Sequence, residues 1–292
     1  MTNEGRAALW FLAPALTVIC VFFLAPVAAG FLLSLTDFDI YALADARNIR
    51  FVGFDNYETL SKSPVFWAAL RNTLLFALLA GPLTVAASLG SALLLNAKLA
   101  PLKPLFRTIF FAPVVTTLVA VAIVWKYMFH PRFGLLNTFL GWFGVEAIDW
   151  LGDPRWALPA IAILAIWKNF GYNMIIFVAG LQSIPDDLYE AATIDGAGAL
   201  RQFRHITLPM LGPTFLFVGI ITAIGYLQLF AEPYVMTPEG GPLNSTLSVV
   251  MLMYREGFRW WTLGYAAAIA AVLFVIIVAT SFIQLRMRRK EA

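Results

Sequence analysis

Six long apolar stretches limit this 292-residue chain to very few folds. A helix needs about 20 residues to cross a hydrocarbon core of about 30 Å. In lipid the backbone must satisfy its own hydrogen bonds, which a helix does within one segment, whereas a β-barrel would show short segments of alternating polarity. The sequence therefore predicts an all-α polytopic membrane protein with six transmembrane helices. The predicted spans cover residues 8–35, 72–95, 108–129, 156–181, 214–235 and 262–285.

The distribution of charge predicts the orientation of these spans. With six spans, both termini and the second and fourth connecting loops lie on one side of the membrane. That side carries ten basic residues and six acids, whereas the opposite side carries eight basic residues and eleven acids. Because basic residues are enriched in cytoplasmic loops, both termini and the fourth loop, residues 182–213, are expected in the cytoplasm.

The fourth loop is a polar segment with strong local structural signals. Pro185 ends the preceding span, and the charges of Asp186 and Asp187 favour a helix that starts there. Apolar and small residues continue this helix over 188–194, about two turns. Gly196 and Gly198 then interrupt it, because glycine adopts a positive φ at little steric cost.

A second short helix is predicted over 200–206, ending before Leu208. Pro209 and Pro213 then turn the chain into the fifth span, because proline lacks an N–H and fixes φ. The loop is therefore expected to form a compact helix-turn-helix parallel to the membrane. A compact element of this kind transmits a displacement to the spans beside it, whereas a flexible loop does not.

The same loop carries a spaced motif: Glu190, Ala191, Ala192, Asp195, Gly196 and Ala197, followed by Phe203, Ile206, Leu208 and Pro209. This motif resembles the EAA loop of binding-protein-dependent ABC importers. The resemblance implies a single transmembrane permease domain over 1–292 with the type I ABC importer permease fold, in which 182–213 is the cytoplasmic coupling loop. It also implies that Glu190 faces a basic residue of a separate ATPase subunit. The first six residues of the motif are the predicted ATPase-coupling residues.

Other stretches are similar to the carbohydrate-importing branch of this family, which includes the larger maltose permease and the glycerol-3-phosphate permeases. These stretches include residues 53–57, 72–73, 240–242 and 245–246. The resemblance implies a multi-pass subunit of the cell inner membrane that imports a sugar or sugar derivative. Its implied partners are a second homologous permease, two ATPase subunits and a periplasmic or lipid-anchored solute-binding protein. ATP and Mg would bind the ATPase, so this chain is expected to bind no cofactor.

Polar residues inside a span are costly and are therefore candidates for function. By resemblance, the substrate would contact Lys168, Asn169 and Tyr172 in the fourth span and Thr222, Tyr226 and Gln228 in the fifth. Amides and hydroxyls hydrogen-bond sugar hydroxyls, and aromatic rings pack on the C–H faces of sugars. The alternative is that these side chains hydrogen-bond between neighbouring helices.

Lys168 leaves the charge of the substrate open. An ammonium inside a span needs a partner, and the candidates are Glu232, an acid on another subunit, or the substrate itself. In the last case the solute would be anionic, such as glycerol-3-phosphate or a phosphorylated or sulfonated sugar. Lys126, near the end of the third span, is expected to extend to water instead.

Two of the three loops on the outer side carry further signals. The segment 133–144 has helical apolar spacing and contains Trp142, which indicates an amphipathic helix at the membrane interface. Further on, Gly240 and Gly241 predict a turn. The polar residues 244–246 are candidates to cap a following helix.

Several other classes of function are disfavoured. An ion-driven secondary transporter would want paired carboxylates in mid-span, and the sequence has none. His130 and His205 are the only histidines, and they fall on opposite sides of the membrane, so no metal site or catalytic cluster is predicted. The chain also has no phosphate-binding loop motif. It is expected to be a transport subunit rather than an enzyme, with no nucleic-acid partner.

Overall fold

The computed structural model describes residues 3–97 and 102–289, and these residues are predominantly helical. The helices are α1 (Asn3–Ile19), α2 (Ala25–Leu33), α3 (Ile40–Ala44), α4 (Asp55–Lys62), α5 (Pro64–Asn96), α6 (Lys103–Val115), α7 (Leu118–Met128), α8 (Leu135–Gly141), α9 (Ala157–Gln182), α10 (Asp186–Ile194), α11 (Ala199–Gln202), α12 (Leu208–Met210), α13 (Gly212–Leu227), α14 (Ala231–Met236), α15 (Val249–Tyr254) and α16 (Leu263–Arg289). Short 3-10 turns cover Ala46–Asn48, Pro238–Gly240 and Pro242–Asn244. Short π-helical turns cover Cys20–Leu24, Phe203–Thr207 and Arg255–Arg259. The predicted all-α class is confirmed.

Among the described residues, five helical stretches are long and apolar enough to cross a membrane, and a bent pair of helices makes a sixth if it is counted as one span. The five are Trp10–Leu33, Pro64–Asn96, Ala157–Gln182, Gly212–Met236 and Leu263–Met287. They agree with five of the six predicted spans. The bounds differ most at the second span, whose helix begins eight residues earlier, at Pro64 instead of residue 72.

The third span is broken, so the prediction of one continuous helix over 108–129 is wrong. α6 and α7 meet at an angle of 99°, and Thr116 and Thr117 between them are extended, with ψ of 148° and 133°. Pro113 lies inside the last turn of α6 and donates no hydrogen bond there. The residues after it, 114–117, are all β-branched, which lowers helix propensity further. Together these features end the helix in the middle of the span.

The larger of two compact units comprises Trp67–Met251 and Ile276–Ala292. α9 is central to its core, since twelve residues of this helix are buried. At Gly171 the backbone of α6 approaches so closely that an added Cβ would collide with the carbonyl oxygen of Phe110. Only glycine fits at this crossing, so α6 and α9 pack backbone to backbone. On the other side of α9, the rings of Phe177 and Phe215 meet edge to face at 4.9 Å.

The smaller unit comprises Met1–Phe66 and Leu252–Val275. Asn56 organises its first loop, because its Nδ2 donates hydrogen bonds to the carbonyl oxygens of Ser34 and Thr36, both at 2.8 Å. The hydroxyls of Ser34 and Tyr57 lie 2.7 Å apart. The motif at 53–57 therefore ties the end of α2 to the start of α4.

The loop predictions had mixed outcomes. α8 covers part of the predicted amphipathic segment, and the buried Asn137 anchors it by donating to Pro131 O and Ile148 O at 3.1 and 2.8 Å. Gly240 and Gly241 adopt φ of 97° and 69°, which confirms the turn. The predicted cap at 244–246 is wrong. α15 is capped by Ser248 Oγ, which accepts the N–H of Met251 at 3.1 Å, because a 3-10 turn occupies Pro242–Asn244.

Glu256 is a buried acid outside the apolar spans, with 8% of its surface exposed. Its Oε2 accepts a hydrogen bond from Thr262 Oγ1 at 3.2 Å. Burial raises the pKa of Glu256, while the bond from Thr262 and the charge of Arg255 oppose that rise. The folded chain therefore holds the proton more tightly than the unfolded chain does, so stability is lost as pH rises through the folded pKa.

Replacing Glu256 by glutamine is expected to stabilise the protein near neutral pH, because the amide carries no charge to bury. We expect the melting temperature in detergent to rise by up to about 3 °C at pH 7.5, and the difference to vanish near pH 4, where Glu256 is protonated in both states. Glu146→Gln, at an exposed carboxylate, is the control and should change little. A stabilisation by Glu256→Gln that persists unchanged at pH 4 would contradict the charge argument.

Candidate functional site

A cavity of about 220 Å³ lies between α9 and the break that separates α13 from α14. It is lined by Asn169, Tyr172, Asn173, Ile221, Thr222, Gly225, Tyr226, Leu229 and Glu232. Four of the six predicted substrate residues are among them, namely Asn169, Tyr172, Thr222 and Tyr226. The fourth and fifth spans thus bring two groups of polar residues, about 50 positions apart in sequence, to one small chamber.

The break after α13 positions the outer part of this chamber. Leu227 ends α13, and Phe230 leaves the helical region with φ of −144°. Gln228 lies in this break, is exposed, and does not line the cavity. Glu232 begins the next helix and does line it. The sequence prediction named Glu232 only as a partner for Lys168. Its position four residues after Gln228, about one helical turn, could have identified it as a residue of the site.

Several of the lining residues already have hydrogen-bond partners in the protein. The Tyr226 hydroxyl lies 2.7 Å from Thr84 Oγ1 and donates to Ala165 O at 3.3 Å. Thr222 Oγ1 accepts a hydrogen bond from Asn173 Nδ2 at 2.9 Å. These bonds join α5, α9 and α13, as the interhelical alternative expected. The sequence prediction missed both Thr84 and Asn173.

Tyr172 and Asn169 present more of their polar surface to the cavity. Tyr172 is 49% exposed, so its ring is open to a ligand. Asn169 Nδ2 donates to Ala165 O, one turn earlier in the same helix, at 2.8 Å. This bond fixes the amide and leaves its carbonyl oxygen as an acceptor. The cavity therefore offers an aromatic face, an amide and a carboxyl group to a ligand.

Lys168 does not line the cavity. Its Nζ donates to Pro113 O and Thr116 O, both at 2.9 Å. These carbonyls lie where α6 ends, and the last carbonyls of a helix lack partners within it. A cation at the C-terminal end of a helix also interacts favourably with the helix dipole. The ion pairs Arg47–Asp45 and Lys62–Glu58 lie elsewhere. Lys168 thus caps the bend in the third span, and its role towards substrate stays a prediction.

The segment 186–197 forms the first half of the predicted coupling loop. α10 begins directly after Pro185, and Asp186 and Asp187 occupy its first turn. It ends at a tight reversal in which Gly196 N–H donates to Thr193 O and Ala197 N–H donates to Ala192 O, at 3.0 and 2.8 Å. This pattern, with φ of 73° at Gly196, is the Schellman motif. Gly196 is therefore required for the turn.

The second half of the loop differs from the prediction. α11 continues through the π-helical turn Phe203–Thr207 into α12, so the predicted helix end before Leu208 is wrong. Pro209 lies in the first turn of α12 and Pro213 in the first turn of α13. Proline is tolerated at the start of α13 because the first N–H groups of a helix need no intrahelical acceptor. A single residue, Leu211, separates α12 from α13.

Side-chain hydrogen bonds make the two halves of the loop one unit. Gln202 Nε2 donates to Thr193 Oγ1 and Ala197 O at 2.9 and 3.0 Å. The hydroxyls of Tyr189 and Thr207 lie 2.9 Å apart. These bonds make the loop one compact element.

The outer surface of this loop is open. Glu190, Ala191, Asp195 and Gly196 are exposed, whereas Ala192 and Ala197 are half-buried. The apolar side chains of Ile194 and Leu200 are 86% and 80% exposed, which is costly in water and typical of an interaction surface. A groove of about 750 Å³ lies between the loop and the end of α5, with Glu190 in its wall.

No group of residues suited to hold a metal ion occurs in the described ranges. The surfaces described above are therefore a small polar chamber between spans and an exposed helical loop. Neither contains a constellation of nucleophile, acid and base that would point to catalysis.

Comparison with known proteins agrees with this geometry. Residues 84–291 match the family model described as binding-protein-dependent transport system inner membrane component. The chain is 39% identical over 285 residues to the lactose transport system permease protein LacF of Rhizobium radiobacter, which covers 96% of this chain and 93% of that protein. It is 36% identical over 289 residues to the sulfoquinovosyl glycerol transport system permease protein SmoG of Agrobacterium fabrum, with coverage of 99% and 92%.

The fold is similar to that of a solved transporter. A chain in the crystal structure of the bacterial alginate ABC transporter, in complex with an alginate pentasaccharide-bound periplasmic protein, superimposes with a TM-score of 0.77. The identity is 22%, and the match covers 99% of this chain and 96% of that chain. The resemblance found in the sequence is confirmed. The chain belongs to the family of inner membrane components of binding-protein-dependent transport systems.

Proposed function

We propose that this chain is the permease subunit of an ATP-driven importer and that its 220 Å³ cavity binds a sugar during passage. The observation that carries the proposal is the convergence of Asn169, Tyr172 and Glu232 on one chamber between membrane spans. An amide, a carboxyl group and an open aromatic ring are the groups that recognise the hydroxyls and C–H faces of a saccharide. The relatives named for lactose and for arabinooligosaccharides support this substrate class.

The proposed assembly contains a second permease, two ATPase subunits that hold ATP and Mg, and a solute-binding protein outside the membrane. The alginate transporter of similar fold was crystallised with a periplasmic protein, which supports the last of these partners. In this assembly the whole chain, 1–292, acts as one permease domain, and lipid surrounds it.

We place the loop 182–213 and both termini in the cytoplasm, on the basis of the charge asymmetry. Glu190, Ala191, Ala192, Asp195, Gly196 and Ala197 then form the surface that meets the ATPase. Closure of the ATPases on ATP moves α10, and the ties from Gln202 and Tyr189 pass that movement to α12 and α13. Because α13 forms one wall of the cavity, the movement opens the cavity towards alternate sides of the membrane.

The cavity favours a neutral sugar over an anion. Its one acidic lining residue, Glu232, repels a phosphate or sulfonate when it is ionised. The ammonium of Lys168 already donates to two carbonyl oxygens and lies outside the lining. The relative named for sulfoquinovosyl glycerol, a sulfonated sugar derivative, favours an anionic substrate as the second candidate.

The experiment that tests the function measures ATP hydrolysis by the reconstituted four-component assembly. Neutral mono- and oligosaccharides, sugar phosphates, sulfonated sugars and glycerol-3-phosphate are supplied with the binding protein. Stimulation by neutral sugars alone supports the proposal, whereas stimulation by anions alone favours the second candidate. An assembly that forms and hydrolyses ATP but responds to no saccharide would contradict sugar transport.

Tyr172→Ala tests whether the cavity contacts the sugar. The ring is half exposed, and no side chain depends on its hydroxyl for a hydrogen bond among the contacts described above, so its removal should leave the fold intact. Aromatic contacts contribute about 0.5–1.5 kcal/mol, so we expect a roughly threefold higher half-saturating sugar concentration for uptake. Tyr127→Ala, at an exposed tyrosine outside the cavity, is the matched control. Equal effects of the two variants would count against the cavity.

A further inference from the structure

A second and larger cavity, of about 730 Å³, lies where α5 and α9 begin. Its wall is mainly apolar and includes Leu75, Leu78 and Leu158, while Arg71 and Arg155 also line it. These two are the only charged residues in the lining. The cavity thus combines an apolar groove with two cationic groups, an arrangement that neither the sugar site nor the coupling loop explains.

The cationic groups lie at the level of the lipid headgroups. α5 has 33 residues and is about 50 Å long at 1.5 Å per residue, whereas the hydrocarbon core is about 30 Å thick. Arg71 lies seven residues, or about 10 Å, from the start of this helix, and Arg155 directly precedes α9. Leu75 and Leu79 lie roughly 6–12 Å deeper along the same helix. The groove therefore runs from the headgroups into the hydrocarbon.

Both guanidinium groups are available to an anion. Neither Arg71 nor Arg155 forms an ion pair within the described part of the chain. The nearby carboxylate of Asp153 accepts the backbone N–H of Arg155 at 2.8 Å. The Ser245 hydroxyl, in the same lining, is buried and has no hydrogen-bond partner among the described residues. The site thus lacks an anionic partner and also leaves one buried polar group unsatisfied.

We propose that this cavity is a binding site for an anionic phospholipid. The phosphate lies between Arg71 and Arg155, because guanidinium groups pair with phosphate oxygens through two parallel hydrogen bonds. One acyl chain lies along Leu75, Leu78 and Leu79, whose side chains are exposed. This site is separate from the sugar cavity and does not depend on the proposed function.

Charge distinguishes a lipid from a protein occupant. A transmembrane helix of a second copy of this chain would fill the apolar groove equally well. The exposed helix Trp10–Leu33 is the available candidate, but it contains no acidic residue. It would leave both arginines unpaired at a buried interface, which is unfavourable. A lipid phosphate supplies the missing charge.

The test is native mass spectrometry of the full transporter released from nanodiscs that contain phosphatidylglycerol and phosphatidylcholine in equal amounts. The wild-type complex should retain phosphatidylglycerol in preference to phosphatidylcholine. Combined Arg71→Gln and Arg155→Gln changes should lower that retention at least tenfold. Arg132→Gln, at an exposed arginine outside the groove, is the matched control and should retain the lipid.

A second variant keeps the proposal testable if the double variant fails to assemble. Leu78→Trp leaves both arginines in place but fills the groove, and it should also reduce phosphatidylglycerol retention. Equal retention in wild type and both variants, or equal retention of the two lipids, would overturn the proposal. Displacement by soluble glycerol phosphate would show an anion site without lipid specificity. Cross-linking from a Leu78→Cys variant to a second permease would show that protein covers the groove. Either result would also overturn it.

Discussion

Gly196→Pro is expected to reduce ATP-driven uptake to background. Gly196 has φ of 73°, whereas proline is fixed near −65°, so the reversal after α10 cannot form. The change also removes the N–H that donates to Thr193 O. The chain reversal that ends α10 is therefore lost. As a result, α10 no longer presents Glu190 and Ala191 to the ATPase in the proposed orientation. Uptake of labelled sugar into proteoliposomes with internal ATP measures the effect.

Gly198→Ala is the matched control for this prediction. Gly198 has an ordinary φ of −69°, and an added Cβ would meet no atom within 4 Å. Uptake by this variant should stay near the wild-type level. The amount of Gly196→Pro protein in the membrane is measured in parallel, because the prediction concerns coupling and not insertion. Wild-type uptake by correctly inserted Gly196→Pro protein would refute the coupling role of the loop.

The sequence was sufficient where a single local signal decides the structure. Uninterrupted apolar stretches predict membrane spans because lipid leaves the backbone few alternatives. The glycine at 196 predicted a chain reversal because few other residues adopt its φ. In both cases the outcome depends on residues within one or two helical turns of each other. The family motif then connected the loop to a partner that local physics alone does not identify.

The sequence was insufficient to predict structural features that depend on residues far apart in the chain. The break at Thr116 was visible as Pro113 followed by β-branched residues, but the apolar character of the whole stretch outweighed that signal. What stabilises the break is Lys168, 52 residues away from Thr116. Similarly, whether Thr222 is open to a ligand depends on Asn173, to which it is bonded. The family resemblance identified positions that line the cavity. It did not show which of their polar groups are already hydrogen-bonded to other residues of the protein.

Lys168→Met is expected to destabilise the protein and to reduce uptake of every substrate several-fold. Methionine matches the length of lysine but donates no hydrogen bond, so Pro113 O and Thr116 O lose a partner at the end of α6. Pro113 O still accepts a hydrogen bond from the Thr116 hydroxyl, whereas Thr116 O loses the bond from Lys168. Because Thr116 is exposed, the loss is that of the hydrogen bonds themselves, each of which contributes about 0.5–1.5 kcal/mol. A loss of this size is enough to change the amount of folded protein several-fold.

The breadth of the defect separates a structural role for Lys168 from a role in binding. If Lys168 holds the bend, the melting temperature in detergent falls, and uptake of neutral and anionic solutes declines together. If Lys168 instead binds an anionic substrate, the melting temperature is unchanged and only anion uptake is lost, which is the result that would contradict this assignment. Lys126→Met is the matched control, since Lys126 is exposed in the last turn of α7. It should leave both quantities near wild type, because its ammonium extends to water.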